Sequence, residues 1–461
     1  MSLQDILGQL PLLKSYTHIL LCFSLPDSQR EPVLESLQCA TKRILAAFPF
    51  LAGVVVHKDV CPGDSGTFTV EGFDADNGGY EGEPVKKIFH IKDLSDVLPP
   101  YATLHGAEAP PAMLPGSVVA PPRPAFPKVY TEDSVPVLEI QASLIHGGLL
   151  LDIAAQHNII DATGIFYIAH ILSLLMDNHP NPIPHADLLL GNCDRRNLIP
   201  LLPPDEPLPP EMSVFTKPRP PPLDRETLAG FKWHLLHFSP ETLASIHAQA
   251  SSHPEEFVDP ITSVSVNDAI TAFCWQRLTL VRSGHETNQD ASQTTQITRA
   301  ADLRRTMSLS PAYMGHMVRT ANLRVPLSTV TSSSLSRLSS LLRLTVATHT
   351  TPLSIRSYAT LLSRTPDKNT ILYAGGFNPL TDFSCSSVAH VNLPRFGSDL
   401  GTPDFVRRPT FGPLPAGMYV GPGRRGEGLD AVVCLRQWEI EGLKGDPEWK
   451  GRVGVVEWTG A

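Results

Sequence analysis

The sequence predicts an α/β fold in two halves. Segments with strand-like and helix-like hydrophobic periodicity alternate along the chain, without an internal repeat or a coiled-coil heptad. At 461 residues the chain is longer than one ordinary domain. A proline-rich stretch from Ile199 to Leu223 is too stiff for a helix and cannot donate to a sheet ladder. We therefore predict an N-terminal domain over 1–198, a crossover linker over 199–228 and a C-terminal domain over 229–461.

The start of the N-terminal half alternates strands with one helix. Apolar runs and helical spacing of apolar residues predict a strand at Tyr16–Leu25, a helix at Glu31–Ala47, and strands at Val54–Val56 and Gly66–Glu71. Between Asp74 and Thr131 repeated prolines predict long surface loops around a short strand near Phe89–Ile91.

A hairpin and a buried helix are predicted to end this half. Residues from Leu138 to Leu144 alternate apolar and polar, His146-Gly147-Gly148 makes a turn, and Leu149–Gln156 forms the return strand. The stretch Gly164–Met176 is apolar nearly all round, which is typical of a buried helix.

The C-terminal half continues the alternation. Ser239 and Pro240 are typical of a helix cap and a first helical position. The predicted helices are Pro240–Gln249, Ala269–Leu280, Ser334–Thr345 and a short one near Ile440–Trp449. The predicted strands are Lys232–Phe238, one leading into Ala301–Arg305, Gly417–Val420 and Ala431–Arg436.

Composition excludes several classes of protein. A net charge of −9 argues against a general nucleic-acid binder, which usually carries a basic face. The seven cysteines are scattered and form no Cys-x-x-Cys pair, which predicts a reduced, cytoplasmic protein without a disulfide framework. The 17 histidines show no metal-ligand spacing, so no metal site is expected. No apolar run is long enough to target or span a membrane.

One histidine stands between the predicted hairpin and the buried helix. His157 leaves the strand, and Asp161 follows four residues later. A histidine in a cleft can accept and return a substrate proton near neutral pH, whereas a lone histidine before a helix is often structural. Asp161 has two open roles, as the N-cap of the helix or as the partner of a distant arginine that fixes the loop.

Three glycine-containing stretches imitate known sites. Gly63–Gly66 reads like the nucleophile loop of serine proteases, but it lies in a turn of a chain with no disulfide framework. His146-Gly147-Gly148 is not followed by a Gly-x-Ser-x-Gly elbow. Gly421–Gly428 does not match a phosphate-binding loop, so a tight turn is the preferred interpretation.

Several short motifs along almost the whole chain follow one family's order. The motifs are Phe48–Gly53, Gly147-Gly148, His157–Asp161, Val266–Ala269 through Trp275, Asp302–Arg304, Tyr313–Gly315, Phe396-Gly397, Gly401-x-Pro403 and Arg407–Pro409. In these motifs and their order the chain resembles the BAHD acyl-CoA-dependent acyltransferases, in particular the fungal branch that includes trichothecene 3-O-acetyltransferase.

The resemblance implies two chloramphenicol-acetyltransferase-like domains, each a mixed sheet flanked by helices, with a channel between them. It implies an O-acyltransferase, most often an O-acetyltransferase, in which His157 is the general base and no acyl-enzyme forms. Asp161 would pair with Arg304, and Phe396-Gly397 would be structural. Acetyl-CoA or another acyl-CoA would be a co-substrate rather than a tightly bound cofactor. The acceptor would be a small hydroxylated secondary metabolite, and the enzyme a monomer.

Other roles are assigned from the same resemblance. Ser384, Ser386, Arg407 and Arg408 are candidate CoA contacts, with Arg424 and Arg425 as further cations. Tyr313 and His316 are candidates for the acceptor pocket, although a packed loop position is the alternative for His316.

The chain departs from the family pattern in three places. Ala162 replaces a glycine, and His316 replaces an asparagine. Arg395 and Asp399 flank Phe396-Gly397 where the family has Asp-Phe-Gly-x-Gly. Two alternatives within enzymes stay open, an amine acceptor or a reaction without CoA. The altered loop motivates a third alternative, a non-catalytic binding protein.

Overall fold

The computed structural model describes residues 2–72, 83–123, 125, 134–177, 179, 181–216, 220–285 and 293–456. In the described residues the helices are α1 Arg30–Ala47, α2 Glu83–Ile88, α3 Tyr101–Gly106, α4 Gly116–Val119, α5 Ala162–Met176, α6 His185–Gly191, α7 Arg225–Ala229, α8 Pro240–Ser251, α9 Val266–His285, α10 Leu327–Ser332, α11 Leu335–His349, α12 Pro352–Arg364, α13 Gly397–Leu400 and α14 Gln437–Gly445.

The strands follow the same order along the chain. They are β1 Tyr16–Ser24, β2 Val54–Lys58, β3 Thr67–Glu71, β4 Phe89–Asp93, β5 Ser134–Pro136, β6 Leu138–Ile145, β7 Gly148–Gln156, β8 Phe231–Phe238, β9 Thr294–Asp302, β10 Val318–Pro326, β11 Phe383–Ser387, β12 Phe405–Arg407, β13 Gly417–Pro422, β14 Leu429–Arg436 and β15 Gly454–Val456.

The first sheet carries the predicted hairpin at its centre. Its strand order is β12-β1-β7-β6-β4, with β4 parallel to β6 and the other pairs antiparallel. The edge strand β12 comes from the second half of the sequence and pairs Leu20 with Arg407. The second half therefore completes the first sheet. The domain boundaries drawn from the proline-rich stretch remain a prediction.

The second sheet is larger and mixed. Its order is β10-β9-β11-β13-β14-β8-β15, with β11 parallel to both β9 and β13. Helix α9 packs on this sheet through a mostly buried face that includes Ile270, Phe273 and Trp275. A small third sheet has the order β3-β2-β5.

The hairpin and its following helix build the core of the first half. Every residue of β6 and β7 is buried, so the apolar alternation in β6 does not mark a solvent face. The polar position Glu139 is instead paired with His90 and Arg123. Helix α5 buries nine of its residues against these strands, which confirms the buried helix expected there.

Some expected elements differ from the structure. Residues 94–120 are not simple surface loops, because Tyr101, Leu104 and Leu114 bury themselves in a satellite core beside β1 and β12. The rest of that predicted loop region, at 74–82, 124 and 126–131, lies outside the described residues. The strands β10 and β11 were not predicted, and the last helix ends at Gly445 rather than at Trp449.

Candidate active site

A large cavity lies between the two halves of the chain. Its volume is about 680 Å³, and its described wall combines β1 and the start of α5 with β9, β11 and β13. Cavities of this size commonly hold small molecules. His157 and Asp161 both line the cavity, so the structure places the predicted site residues in a cleft that ligands can enter.

The backbone of His157 is held from both sides. Its N–H donates to the carbonyl of Ser15 at 2.8 Å, and its own carbonyl accepts from Nδ1 of His316 at 2.8 Å. The His157 side chain is half-buried, and its Nδ1 lies 3.4 Å from the carbonyl oxygen of Ile160. That contact favours the proton on Nδ1. It leaves Nε2 as the nitrogen that can accept a proton.

The surroundings of His157 favour its neutral form. Burial lowers the pKa of His157 to about 3, with the nearby His316 imidazole acting in the same direction. The negative charge of Asp161 opposes this effect but is outweighed. His157 is therefore an unprotonated base throughout the neutral range.

Asp161 takes both of the roles left open by the sequence. Its Oδ1 accepts from the N–H of Gly164 at 3.0 Å and so caps helix α5. The same carboxylate makes a bidentate pair with Arg304, at 2.9 and 2.8 Å, and its Oδ2 accepts from the N–H of Met317 at 2.9 Å. Burial alone would raise the pKa of Asp161, but Arg304 outweighs it and the pKa is lowered.

Arg304 ties the His157 loop to the second half of the chain. Besides Asp161 it pairs with Asp302 at 3.0 Å and donates to the carbonyls of Tyr313 and Gly315. The side chain is buried, and all three of its nitrogens are engaged. A lysine could not replace this fork of donors.

The N-terminal segment braces the same loop. The amide of Asn158 donates to the carbonyls of Gly8 and Leu10. A Cβ added at Gly8 would lie only 2.0 Å from the carbonyl oxygen of Asn158, so this contact requires glycine. The His157 loop is thus fixed by residues from the N-terminus and from both halves.

A charged cluster that we did not predict lines the cavity in the second half. Asp268, near the start of α9, pairs with Arg299 at 2.6 Å and with Nε of Arg343 at 2.8 Å, and it accepts from the hydroxyl of Ser265 at 2.7 Å. Burial would raise the pKa of Asp268, but Arg299 and Arg343 outweigh it and the pKa is lowered. We call these four residues the Asp268 cluster. Two guanidinium groups share one carboxylate, which leaves a net positive charge.

The candidate CoA contacts divide into two groups. Ser384, Ser386 and Arg408 line the cavity. Arg407 does not, because it is 4% exposed and pairs with Asp430 at 2.8 Å while donating to the carbonyls of Glu108 and Ala109. Arg407 therefore lies outside the wall of this cavity, with its guanidinium engaged by the protein, and its contact with CoA stays a prediction.

Arg424 and Arg425 lie outside the cavity wall. Arg424 donates to Nε2 of His105, and Arg425 pairs with Asp404. They sit in the connection between β13 and β14, where Gly423 N–H donates to the carbonyl of Gly428. This stretch is the tight turn that the sequence favoured.

Tyr313 and His316 are buried behind the cavity rather than in its wall. The hydroxyl of Tyr313 donates to Asp5, and the N–H of His316 donates to the same carboxylate at 3.0 Å. Neither residue lines the cavity, so their assignment to the acceptor pocket stays a prediction, and His316 occupies the packed position that was its alternative. The imidazoles of His316 and His157 nevertheless lie 5.0 Å apart, so His316 acts on the site through His157.

Phe396 and Gly397 occupy a structural position. Phe396 is fully buried and packs edge-on against Phe23 at 5.3 Å, and Gly397 has a φ of +61°, which favours glycine. Arg395 and Asp399 are exposed and do not line the cavity. The altered loop thus leaves the described site intact.

Comparison with known proteins settles the family. A sequence model described as "Transferase family" matches residues 125–450, well over half of the chain. The chain belongs to this family. A second model, for the trichothecene 3-O-acetyltransferase-like N-terminal domain, matches residues 15–175. The resemblance to the BAHD transferases is confirmed, and the protein is an acyltransferase.

Curated relatives span nearly the full length. The chain is 37% identical to the O-acyltransferase pigD of Monascus ruber, over 97% of each chain. It is 34% identical to the O-acetyltransferase epaC of Aspergillus niger, over 98% of this chain and 96% of the relative. It is 30% identical to the trichothecene 3-O-acetyltransferase TRI101 of Fusarium sporotrichioides, over 96% and 95%.

Solved structures agree with the fold. TRI101 of F. graminearum in complex with coenzyme A and deoxynivalenol superposes with a TM-score of 0.88 at 28% identity, covering 99% of this chain and 100% of that one. The same enzyme with ethyl coenzyme A gives 0.87 at 28% identity, with the same coverage. The predicted fold class, two acetyltransferase-like α/β domains with mixed sheets flanked by helices, is confirmed. In the described part of the chain, no helix has the length and hydropathy needed to cross a bilayer.

Proposed function

We propose that this acyltransferase moves an acyl group from acyl-CoA to a hydroxyl of a small secondary metabolite, with His157 as general base. The observation that carries the proposal is the position of His157 on the wall of a cavity of about 680 Å³ shared by both halves. A cavity of this size can hold a thioester and an acceptor against the same imidazole. Relatives named O-acetyltransferases and structures of TRI101 in complex with coenzyme A support the choice of chemistry.

The proton path follows from the imidazole geometry. Nε2 of His157 removes the acceptor proton while the oxygen attacks the thioester carbonyl carbon. The resulting tetrahedral intermediate breaks its carbon–sulfur bond, and the imidazolium returns the proton to the leaving sulfur. The products are an ester and free CoA. Holding both substrates in one complex replaces a covalent intermediate, because proximity supplies much of the rate.

The neutral state of His157 suits this cycle. A base that is unprotonated in the free enzyme is ready to accept a proton as soon as the hydroxyl arrives. Asp161 does not take part in proton transfer, because its carboxylate is already engaged by Arg304, Gly164 and Met317. Its contribution is the geometry of the loop.

The cavity wall offers cations for an anionic donor. Among the described residues that line it, Arg299, Arg305, Arg343 and Arg408 are positive, in a chain of net charge −9. Arg343 is only partly buried and belongs to the Asp268 cluster, which retains a positive charge. We assign the CoA phosphates to Arg343 and Arg305, and the CoA arm to Ser384 and Ser386. Guanidinium groups bind phosphate well because their donors match its oxygens.

The test uses a His157→Ala variant. Transfer from acetyl-CoA to a panel of alcohols and amines should fall by about 100- to 10,000-fold, the usual contribution of a positioned base. CoA binding, measured by calorimetry, should stay close to that of the unmodified enzyme. The control is His253→Ala, which removes an exposed histidine that does not line the cavity. Near-normal turnover in a folded His157→Ala protein contradicts the assignment, and transfer to amines alone would change the acceptor class.

A further inference from the structure

A smaller chamber opens from the main cavity. Its volume is about 70 Å³, and we call it the side chamber. Ala162, Ser386 and Arg408 line both the main cavity and the side chamber, so they form its neck. Ala162 follows Asp161 directly in sequence. The neck therefore lies beside the loop that carries His157.

The floor of the side chamber is one face of the second sheet. Tyr419 pairs with Val432, and Val432 pairs with Leu235, so these residues lie side by side across β13, β14 and β8. Directly opposite residues share a face of a sheet. Ile19 of β1 and Val406 of β12 cover this floor from the first sheet. The chamber walls are therefore largely apolar.

Beyond Arg408 at the neck, the charged residues of the side chamber are paired with each other. Arg407 and Asp430 both line it, but they pair at 2.8 Å. The other oxygen of Asp430 lies 2.7 Å from Nδ1 of His237, and the remaining donors of Arg407 are taken by backbone carbonyls. Past the neck, a ligand meets no unpaired charge among the described lining residues, so an apolar group can enter without stranding a buried ion.

Part of the space exists because residue 421 is glycine. Gly421 lines the chamber, and an added Cβ would meet only the Val388 side chain, at 3.9 Å. This distance is an ordinary van der Waals contact, and the backbone at Gly421 is not in the left-handed region. The chamber can therefore be shortened by a side chain at 421 without a clash.

At the neck, polar groups replace the apolar walls. The guanidinium of Arg408 stacks on Tyr419 with its carbon 3.8 Å from the ring centroid, and the half-buried Ser386 lies in the same wall. A ligand that fits this arrangement has an oxygen at the neck and a hydrocarbon beyond it. An acyl thioester has that order of groups.

We infer that the side chamber holds the acyl chain of the donor and that the enzyme accepts acyl groups longer than acetyl. This inference rests on the proposed function. A water-sized group takes up about 30 Å³, so about 70 Å³ accommodates two or three such groups beyond the neck. With the carbonyl carbon at the neck, the acyl chain of the preferred donor then has about three or four carbons. The acceptor is too large for the side chamber and occupies the main cavity.

The experiment measures the affinity of unreactive donors of increasing length. Calorimetry with CoA and with S-ethyl-, S-butyl-, S-hexyl- and S-octyl-CoA needs no acceptor. In the unmodified enzyme the affinity should rise by about fourfold per methylene, the value expected for apolar burial, and level off at about three or four carbons. In Gly421→Val the rise should stop about two carbons earlier, which weakens S-butyl-CoA by about tenfold and leaves S-ethyl-CoA unchanged.

Matched variants separate the chamber from a general effect. Gly454→Val places the same substitution on an exposed strand of the same sheet, where an added Cβ makes only ordinary contacts, and should behave like the unmodified enzyme. Gly421→Ala should be intermediate. Val432→Ala enlarges the chamber and should move the plateau to longer chains. These two milder variants also decide the question if Gly421→Val does not fold.

The outcomes distinguish the inference from the proposed function. The inference is overturned if the affinity does not rise with the length of the alkyl group, or rises equally in the unmodified enzyme and in all chamber variants. The acyl chain of the donor then lies elsewhere. If neither CoA nor any S-alkyl-CoA binds, the proposed function itself fails. A change in acceptor KM without a change in donor affinity would assign the chamber to the acceptor and would also overturn the inference.

Discussion

Asp161 and Asp268 are both buried carboxylates in the cavity wall, but the charges around them differ. Carboxylates outnumber arginines around Asp161, whereas arginines outnumber carboxylates around Asp268. Beside the His157 loop, Asp161 of the first half and Asp302 of the second share a single arginine, Arg304. In the second half Asp268 alone holds both Arg299 and Arg343. Each carboxylate lies at the start of a long helix, so similar local architecture supports two different arrangements of charge.

The difference separates geometry from binding. The arginine beside His157 is fully committed to protein acceptors, so it fixes the loop and has no donor left for a substrate. The Asp268 cluster has more guanidinium charge than its carboxylate can neutralise, and Arg343 remains partly exposed. We therefore expect changes on the first side to affect folding, and changes on the second side to affect affinity for an anion.

The largest expected effect is on stability and comes from Asp161→Asn. Removing this charge leaves Arg304 buried with only Asp302, and breaking a buried ion pair commonly costs about 3–5 kcal/mol. Urea denaturation followed by circular dichroism measures the free energy of unfolding. Asp302→Asn, at a more exposed position, should cost clearly less. Equal losses in the two variants would show that the bidentate pair is not the main anchor of the loop.

A second prediction concerns Arg343→Ala. Loss of a charge-assisted hydrogen bond to phosphate should weaken CoA binding by about tenfold or more. The free energy of unfolding should change by less than about 1 kcal/mol, because the Arg343 side chain is about one-third exposed. Arg337→Ala, on the same helix but outside the cavity wall, is the control for both measurements. Unchanged CoA affinity in Arg343→Ala would remove the Asp268 cluster from the binding site.

The smallest expected effect is a shift in the pH profile of turnover. Because the pKa of His157 is lowered to about 3, the acid limb of kcat/KM should lie well below pH 6.5. His316 contributes to that lowering, so His316→Asn should raise the His157 pKa and move the acid limb to higher pH. A limb centred near 6.5 in the unmodified enzyme would show that the imidazole is not desolvated.

The lowered pKa of His157 also makes the free energy of unfolding depend on pH. The pKa of His157 is lower in the folded chain than in the unfolded chain, so the unfolded chain binds more protons between these two values. The stabilisation is complete above about pH 6.5 and is lost as the pH falls towards 3. His157→Ala should make stability less dependent on pH across that range.

The sequence alone placed His157 and Asp161 at a strand-to-helix junction, where the structure has them. It left two roles open for Asp161, and the pairing with Arg304 came from the resemblance to the family rather than from local pattern. A structural role for the Phe396-Gly397 loop was also predicted. These features depend on local pattern and on short motifs, both of which are legible in a single chain.

Other features depend on contacts that no local pattern records. Arg343 lies 75 residues from Asp268, and neither position carries a motif for the other. Tyr313 was expected at the acceptor, but its hydroxyl is taken by Asp5, more than 300 residues earlier in the chain. The three residues of β12 are too few to show a period, so its pairing with β1 was not predicted.

The edge position of β12 also limits how the polypeptide can be divided. A fragment that stops in the crossover would leave the Leu20–Cys22 edge of β1 without its neighbour, and bare strand edges promote association between molecules. A cut in the exposed turn at 423–428 keeps β1 and β12 on one piece. Complementation pairs and reporter insertions made from this scaffold should therefore use that turn.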